Sequence, residues 1–104
     1  YPDGFWIKDN AWYSRLFEDP NFVNKVKTRF AYFRLQQEFI LQRVDFYASY
    51  LDELQQKNDA RWNVIGNFLW PNPVAFETYE EEVAYLKSWY NQRMDWLENA
   101  IGNL

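Results

Sequence analysis

The sequence contains neither histidine nor cysteine. Their absence excludes histidine-based acid–base catalysis, cysteine nucleophiles, disulfide bonds and ordinary zinc sites. Glycine is also scarce, and Gly4, Gly66 and Gly102 lie too far apart to form a phosphate-binding loop. Hydrophobic runs are short, and none approaches the roughly 18 apolar residues that a membrane-spanning helix needs. The sequence therefore predicts no membrane span and none of these common catalytic centres.

Basic residues are also fewer than acidic ones. Fifteen acidic residues outnumber eleven basic ones, and the net charge is −4. Because nucleic-acid binding needs a basic face, we expect no nucleic-acid partner. The length of 104 residues predicts a single domain over residues 1–104.

Aromatic residues are abundant instead, with nine Phe, eight Tyr and six Trp making up 22% of the chain. Each such side chain can bury about 150–250 Å², and a domain of this size hides only about two-thirds of its unfolded surface. Since one small core cannot easily hold all of these rings, we expect some of them to face a partner. The alternative is that the tyrosines, which tolerate partial exposure, account for the excess.

The sequence gives two clear signals for helix starts near its beginning. Asn10 is a candidate N-cap for a short helix over residues 11–18. Asp19 can cap the next helix, with Pro20 at its first position, where a missing N–H costs no hydrogen bond.

Apolar residues then recur at helical spacing from Phe22 to Ile65. One helix from Pro20 to Ile65 would be roughly 69 Å long, which is too long for a compact domain of this size. We therefore predict two antiparallel helices with a break at Leu35–Glu38, the second of which ends at Gly66.

A capping box predicts the start of the last helix. Thr78 can accept a hydrogen bond from the backbone of Glu81, whose carboxylate reaches back. The neighbouring acidic residues Glu80 and Glu82 point in other directions on a helix, so no metal site is predicted. The predicted fold is all-α, an antiparallel bundle of three longer helices plus one short N-terminal helix.

Arg93 falls inside the apolar stripe of the last helix, between Tyr90 and Leu97. A guanidinium at such a position needs a carboxylate or stacked rings. Asp45 and Asp52 are the predicted partners in a structural ion pair, and a ligand contact is the alternative.

The segment after residue 57 contains a second polar cluster and an aromatic loop. Asn58 and Arg61 are predicted to hold the loop that follows them. In that loop, the segment FLWPNPVAF either covers one end of the bundle or stacks on a sugar.

Two segments hold more aromatic bulk than their short elements can bury. We predict that part of this set faces a partner and that the rest covers one end of the bundle. The isolated chain should then self-associate, crystallise through aromatic contacts or bind a hydrophobic dye while folded. The interface candidates are Phe5, Trp6, Trp12, Tyr13, Phe68, Trp70 and Phe76.

Several segments together resemble the C-terminal helical region of the CotH family, named for spore coat protein H. The resemblance covers nearly the whole chain and rests on aromatic and helical patterns. The segments are GFWIKDNAWYSRLFEDPNFVNKVKTRF, ILQRVDFYASYL, RWNVIGNFLWPN and TYEEEVAYLKSWYNQRMDWLENAI.

The resemblance implies a non-catalytic helical subdomain that packs against and supports the atypical kinase domain of a larger protein. In such proteins ATP and a divalent metal bind in a central domain that precedes this region, and none of its motifs matches a position here. No catalytic, cofactor-binding or metal-binding residue is therefore assigned, and the chain itself is expected not to bind nucleotide. The upstream catalytic domain of the same chain is the expected partner.

The family resemblance also implies a location outside the cytoplasm or at the cell surface. The missing initiating methionine and the Pro-Asp-Gly turn predict that residues 1–12 are the cut edge of a longer protein. The competing hypothesis is an autonomous binding module that uses exposed aromatic residues to bind a glycan or a peptide.

Overall fold

The computed structural model describes all 104 residues, and its regular secondary structure is entirely helical, with no strand. The all-α prediction is confirmed. No helix meets both the length and the apolar character required to cross a membrane. The elements are a 3₁₀ turn at Trp6–Asp9, α1 (Ala11–Leu16), α2 (Pro20–Leu35), α3 (Gln37–Tyr50), α4 (Asp52–Trp62) and α5 (Tyr79–Gly102).

Side-chain caps begin the first two α-helices, as predicted. The Oδ1 atom of Asn10 accepts from the backbone N–H of Trp12 at 3.1 Å. The Oδ1 atom of Asp19 accepts from the backbone N–H of Asn21 at 2.8 Å, and Pro20 is the first residue of α2. Each cap satisfies a backbone donor that has no partner within the helix.

Between Pro20 and Trp62 the chain forms three helices rather than the two predicted. Gln36 interrupts it inside the predicted stretch, with φ −88° and ψ 0°, and Leu51 interrupts it again, with φ −89° and ψ −3°. The position of the predicted break at Leu35–Glu38 is therefore confirmed, since α2 ends at Leu35 and α3 begins at Gln37. The antiparallel arrangement of these helices stays a prediction.

The helix that was predicted to end at Gly66 ends at Trp62. Asn63 adopts the left-handed conformation, with φ 50° and ψ 56°, and its backbone N–H donates to the carbonyl of Asp59. Asparagine tolerates this conformation better than most non-glycine residues, so it terminates the helix. Gly66, with φ 80°, serves the turn that follows.

The capping box of α5 forms as predicted. The backbone N–H of Glu81 donates to Oγ1 of Thr78 at 3.2 Å, and Oε2 of Glu81 accepts from the backbone N–H of Thr78 at 3.2 Å. The same carboxylate accepts from the backbone N–H of Glu77 at 3.1 Å. One side chain thus satisfies two backbone donors at the start of the longest helix.

The chain divides into two compact units. The first unit comprises Tyr1–Glu38 and Trp89–Leu104. It contains Met94 and Ile101, the only two buried residues of the chain, both on α5. That the 104 residues form one domain stays a prediction.

Two side chains of α2 bind α5 or the residues just after it in the first unit. Lys27 donates to the carbonyl of Leu104 at 3.1 Å. Seven residues further along α2, Arg34 pairs with Asp95, which precedes Leu104 in the chain.

The second unit comprises Phe39–Ser88 and has no buried residue. Two side chains of α5 donate hydrogen bonds to α3 in this unit. The hydroxyl of Tyr79 donates to the carbonyl of Ala48 at 3.0 Å, and Nζ of Lys87 donates to both carboxylate oxygens of Asp45 at 2.8 Å.

Candidate functional site

Most of the predicted interface residues are exposed side chains. The exposed fraction is 84% for Trp12 and 86% for Trp70, and Trp6 and Phe68 are also largely exposed. Tyr13 is 42% exposed. Each of these five leaves apolar surface that is available to another molecule.

The other two interface candidates pack within the chain. The ring of Phe5 lies edge-on to those of Phe17 and Trp96, with centroids 5.5 Å and 6.1 Å away. Phe76 packs against Tyr85 at 5.2 Å. Both rings therefore hold neighbouring segments in place in addition to any contact they make with a partner.

Arg93 has different partners from those predicted. Its Nη1 atom donates to the carbonyl of Pro2 at 2.9 Å and to that of Gly4 at 2.7 Å. Its guanidinium carbon lies 5.0 Å from the centre of the Trp96 ring. The expected need for stacked rings is met, but the charge is satisfied by two backbone carbonyls of the N-terminal arm rather than by a carboxylate.

Gly4 makes the close approach of this arm feasible. Its φ is +98°, and a Cβ atom added there would lie 2.6 Å from Cε2 of Trp6. Only glycine accommodates both conditions at low cost. Gly4 therefore allows the N-terminal arm to adopt the conformation in which Arg93 binds it.

The two predicted carboxylate partners of Arg93 bind other residues. Asp45 accepts from Lys87 at 2.8 Å. Asp52 accepts from the side-chain amides of Gln55 and Gln56 at 3.1 Å and 3.3 Å. These bonds correct the predicted ion pair: the sequence identified polar residues that form specific contacts, but not their partners.

The aromatic loop, residues 63–76, is fixed at its two ends. Oδ1 of Asp59 accepts from the backbone N–H of Ile65 at 2.7 Å. The backbone N–H of Gly66 donates to the carbonyl of Phe76 at 2.8 Å, and the N–H of Phe76 donates to Oε1 of Glu82 at 3.0 Å. Asp59 thus has the role that was predicted for its neighbours Asn58 and Arg61.

A row of stacked side chains, which sequence reasoning missed, runs along α3. The guanidinium carbon of Arg43 lies 5.3 Å from the centre of the Phe39 ring and 5.4 Å from that of Phe46. The rings of Phe46 and Tyr50 are nearly parallel, with centroids 6.4 Å apart and an interplanar angle of 8°. We call Phe39, Arg43, Phe46 and Tyr50 the α3 stripe. Their spacing of four, three and four residues was the signal that could have revealed it.

An apolar groove of about 480 Å³ lies beside the stripe, between α3 and α5 within the second unit. Arg43 and Tyr47 line it, and the ring of Tyr47 lies edge-on to that of Phe46 at 5.3 Å. The stripe and the groove therefore form one continuous surface. The other apolar residues of the groove are Ile40, Val44, Ala48, Leu51, Val83 and Leu86.

Two buried polar atoms in the first unit have no hydrogen-bond partner. These atoms are the hydroxyl of Tyr90 and Nη1 of Arg34. Burial raises the pKa of Tyr90 above its ordinary value of 10.0, and the charge of Arg34 partly offsets this increase. Arg34 binds Asp95 through its other nitrogen and so has a structural role in this unit, whereas the Tyr90 hydroxyl forms no hydrogen bond.

The chain is all-helical, and more than half of its aromatic side chains are exposed. The family model for CotH kinase protein matches residues 2–97. The chain therefore belongs to the CotH kinase family. Comparisons with curated proteins and with solved structures gave no match.

Proposed function

We propose that this chain is a non-catalytic helical subdomain of a CotH kinase-family protein, and that its exposed apolar faces pack against and support the kinase domain. The family match supports the context of this proposal, and the uncovered surface supports the packing role. By the same family resemblance, we place the parent protein outside the cytoplasm or at the cell surface.

The observation that carries the proposal is the amount of surface that the chain leaves open. Its accessible surface is 8263 Å² for a mass of 12.8 kDa. A folded monomer of that mass exposes about 6,300 Å². The excess of about 2,000 Å² is as large as the area that one partner contributes to a large permanent interface.

The chemical character of this surface also favours a permanent protein partner. Thirteen of the 23 aromatic side chains are exposed large hydrophobic groups. Covering apolar surface contributes roughly 25 cal/mol per Å². A surface of this kind is typical of an interface that stays covered in the mature protein.

ATP and a divalent metal belong, in this proposal, to the parent protein outside residues 1–104. Within this chain, no group of three or more His, Cys, Asp or Glu side chains is arranged to hold a metal ion. The chain contributes support to the catalytic domain rather than a ligand for its nucleotide.

Hydrogen–deuterium exchange tests the proposal. The full product of the gene is compared with the 104-residue chain alone, and the amides of α3 and α4 are followed. We expect them to exchange more slowly in the full product, since a covered helix opens less often. The amides around Met94 serve as the control, because that residue is buried without a partner. Equal exchange of α3 and α4 in the two proteins would contradict the proposal.

Self-association of the isolated chain gives a second readout. Its uncovered rings are expected to drive concentration-dependent association, which sedimentation velocity measures directly. The full product should sediment as a single species at the same concentrations. A monomeric isolated chain at high concentration would argue against a partner-binding surface.

The alternative function is an autonomous module that binds a glycan or a peptide. The observation that favours it is the aromatic loop, where Trp70 is 86% exposed and both ends of the loop are fixed by hydrogen bonds. Tryptophan fluorescence of the full product distinguishes the two functions. Quenching of Trp70 by acrylamide should be weak if the kinase domain covers it and strong if the loop is free to bind a ligand.

A further inference from the structure

Helix α3 has two apolar faces, and only one of them lies beside another helix of the chain. Val44 and Ala48 face α5, where Tyr79 donates to the carbonyl of Ala48. The α3 stripe lies on a different face, since its residues are separated by four, three and four positions from Phe39 to Tyr50. Phe39 and Phe46 are each 54% exposed, and Tyr50 is 71% exposed. A helix that is apolar on two faces is normally packed on both.

The stripe has a single charge at its centre. The Arg43 side chain lies between the rings of Phe39 and Phe46, which hold its planar group by cation–π contacts. No hydrogen bond or ion pair within the chain involves this side chain. A guanidinium carries five N–H donors in a fixed fork, so Arg43 presents donors that have no partner within the chain in the middle of an apolar surface.

We propose that the α3 stripe and the adjoining groove pack on an apolar surface of the same protein, outside residues 1–104, whose single carboxylate binds Arg43. This proposal rests on the proposed function and names the chemistry of the partner surface. When the apolar area is covered, the Arg43 donors lose water, and only an anionic acceptor compensates for that loss. The planar fork matches a carboxylate with two parallel hydrogen bonds.

Charge favours a protein carboxylate over a polyanion. The stripe has one cation, whereas nucleic acids and anionic membranes are bound by clusters of Lys and Arg. The whole chain has a net charge of −4, which repels such polymers further. The nearby carboxylate of Glu82, which also lines the groove, already accepts a backbone hydrogen bond from Phe76. A partner surface with one acidic group among apolar side chains fits this pattern.

Zero-length cross-linking tests the pairing. The Arg43→Lys variant of the full gene product is treated with a water-soluble carbodiimide, which joins an amine to a carboxylate in direct contact. We expect one dominant amide bond between position 43 and an Asp or Glu outside residues 1–104, identified by mass spectrometry. The matched control is Arg29→Lys, since Arg29 also lies over a ring, that of Tyr32, but on α2. No dominant product is expected there.

A charge reversal gives an independent measurement. Arg43→Glu is expected to raise the exchange rates of α3 amides in the full product by about tenfold or more, which corresponds to at least about 1.4 kcal/mol. Arg29→Glu should leave them unchanged. In the isolated chain, Arg43→Glu should have no effect on α3, because its carboxylate partner is missing there.

The outcomes separate this proposal from the proposed function. If α3 is protected in the full product but position 43 couples to no carboxylate, the pairing is wrong and the packing function stands. Coupling only to acids within residues 1–104, or to a second copy in a mixture of isotope-labelled and unlabelled protein, also overturns the pairing. If α3 is equally exposed in both proteins, the packing function and the pairing fail together.

Discussion

The two units of the chain contain similar numbers of residues and similar helices, but they differ in what holds them. In the first unit, α2 and α5 are connected by Lys27 and Arg34, and α5 buries Met94 and Ile101. In the second unit, α3 and α5 are connected through Tyr79 and through the Asp45–Lys87 pair, and no side chain is buried. The first unit has a small hydrophobic core. The second unit has hydrogen bonds and an ion pair beside an open apolar groove.

This difference indicates where the chain depends on another molecule. Hydrophobic burial is the dominant favourable term in folding, so a unit without buried side chains gains little stability from its own packing. Exposed ion pairs such as Asp45–Lys87 contribute little on their own. The second unit is therefore the part that we expect to gain most from a partner, and it contains both the α3 stripe and the aromatic loop.

Truncation of a core residue is expected to have the largest effect. Met94 is 1% exposed, and Met94→Ala should lower the free energy of unfolding by about 2–5 kcal/mol, because it removes buried methylene groups and leaves a cavity. Leu86→Ala in the second unit is the matched control, since Leu86 is 51% exposed. Chemical denaturation of the 104-residue chain measures both. Equal losses would remove the distinction between the two units.

The N-terminal arm should depend on Arg93. Replacement by alanine removes two hydrogen bonds to the carbonyls of Pro2 and Gly4, and hydrogen bonds from charged donors contribute about 1.5–3 kcal/mol. We expect Arg93→Ala to destabilise the first unit by roughly this amount and to speed proteolysis within residues 1–9. Arg29→Ala, which removes an exposed arginine, should change neither. An arm that stays protected in Arg93→Ala would show that the aromatic contacts of Phe5 suffice.

In the second unit, the corresponding local contact is that of Asp59. Asp59→Ala removes the acceptor for the N–H of Ile65 and should cost about 1–2 kcal/mol, with faster exchange of the amides in the aromatic loop. Asn58→Ala is the matched control on the neighbouring exposed residue. If both variants exchange alike, the loop is held by its other end, through Phe76 and Glu82.

Local features of this fold were predictable from the sequence, and contacts distant in the chain were not. The caps at Asn10 and Asp19 and the Thr78–Glu81 box involve residues two or three positions apart, so the pattern alone indicates the bond. The end of α4 was misplaced because Asn63 adopts a positive φ ahead of the glycine that seemed the natural stop.

The same distinction between local features and distant contacts applies to the site residues. Exposure of the aromatic side chains followed from their number, since one small core cannot bury them all. The partners of Arg93 could not be predicted, because backbone carbonyls about 90 residues away leave no mark in the sequence. The α3 stripe had a visible spacing, but a row of aromatic residues on a helix also predicts an ordinary core face. Only the positions of its neighbours show that it is uncovered.

The smallest effect at neutral pH is expected for Tyr90, and its sign sharpens the description of the first unit. Its hydroxyl is buried without a partner, so Tyr90→Phe removes an unsatisfied polar group and should leave stability unchanged or slightly increased at pH 7.

Burial raises the pKa of Tyr90 above 10.0 in the folded chain. The unfolded chain therefore releases this proton at a lower pH than the folded chain does. As a result, the free energy of unfolding falls as pH rises through the ordinary pKa, and it stops falling above the raised pKa. Tyr90→Phe should abolish this part of the alkaline loss, as measured by denaturant unfolding at pH 8, 10 and 11. A clear loss of stability at pH 7 would show instead that the hydroxyl forms a bond in solution that stabilises the first unit.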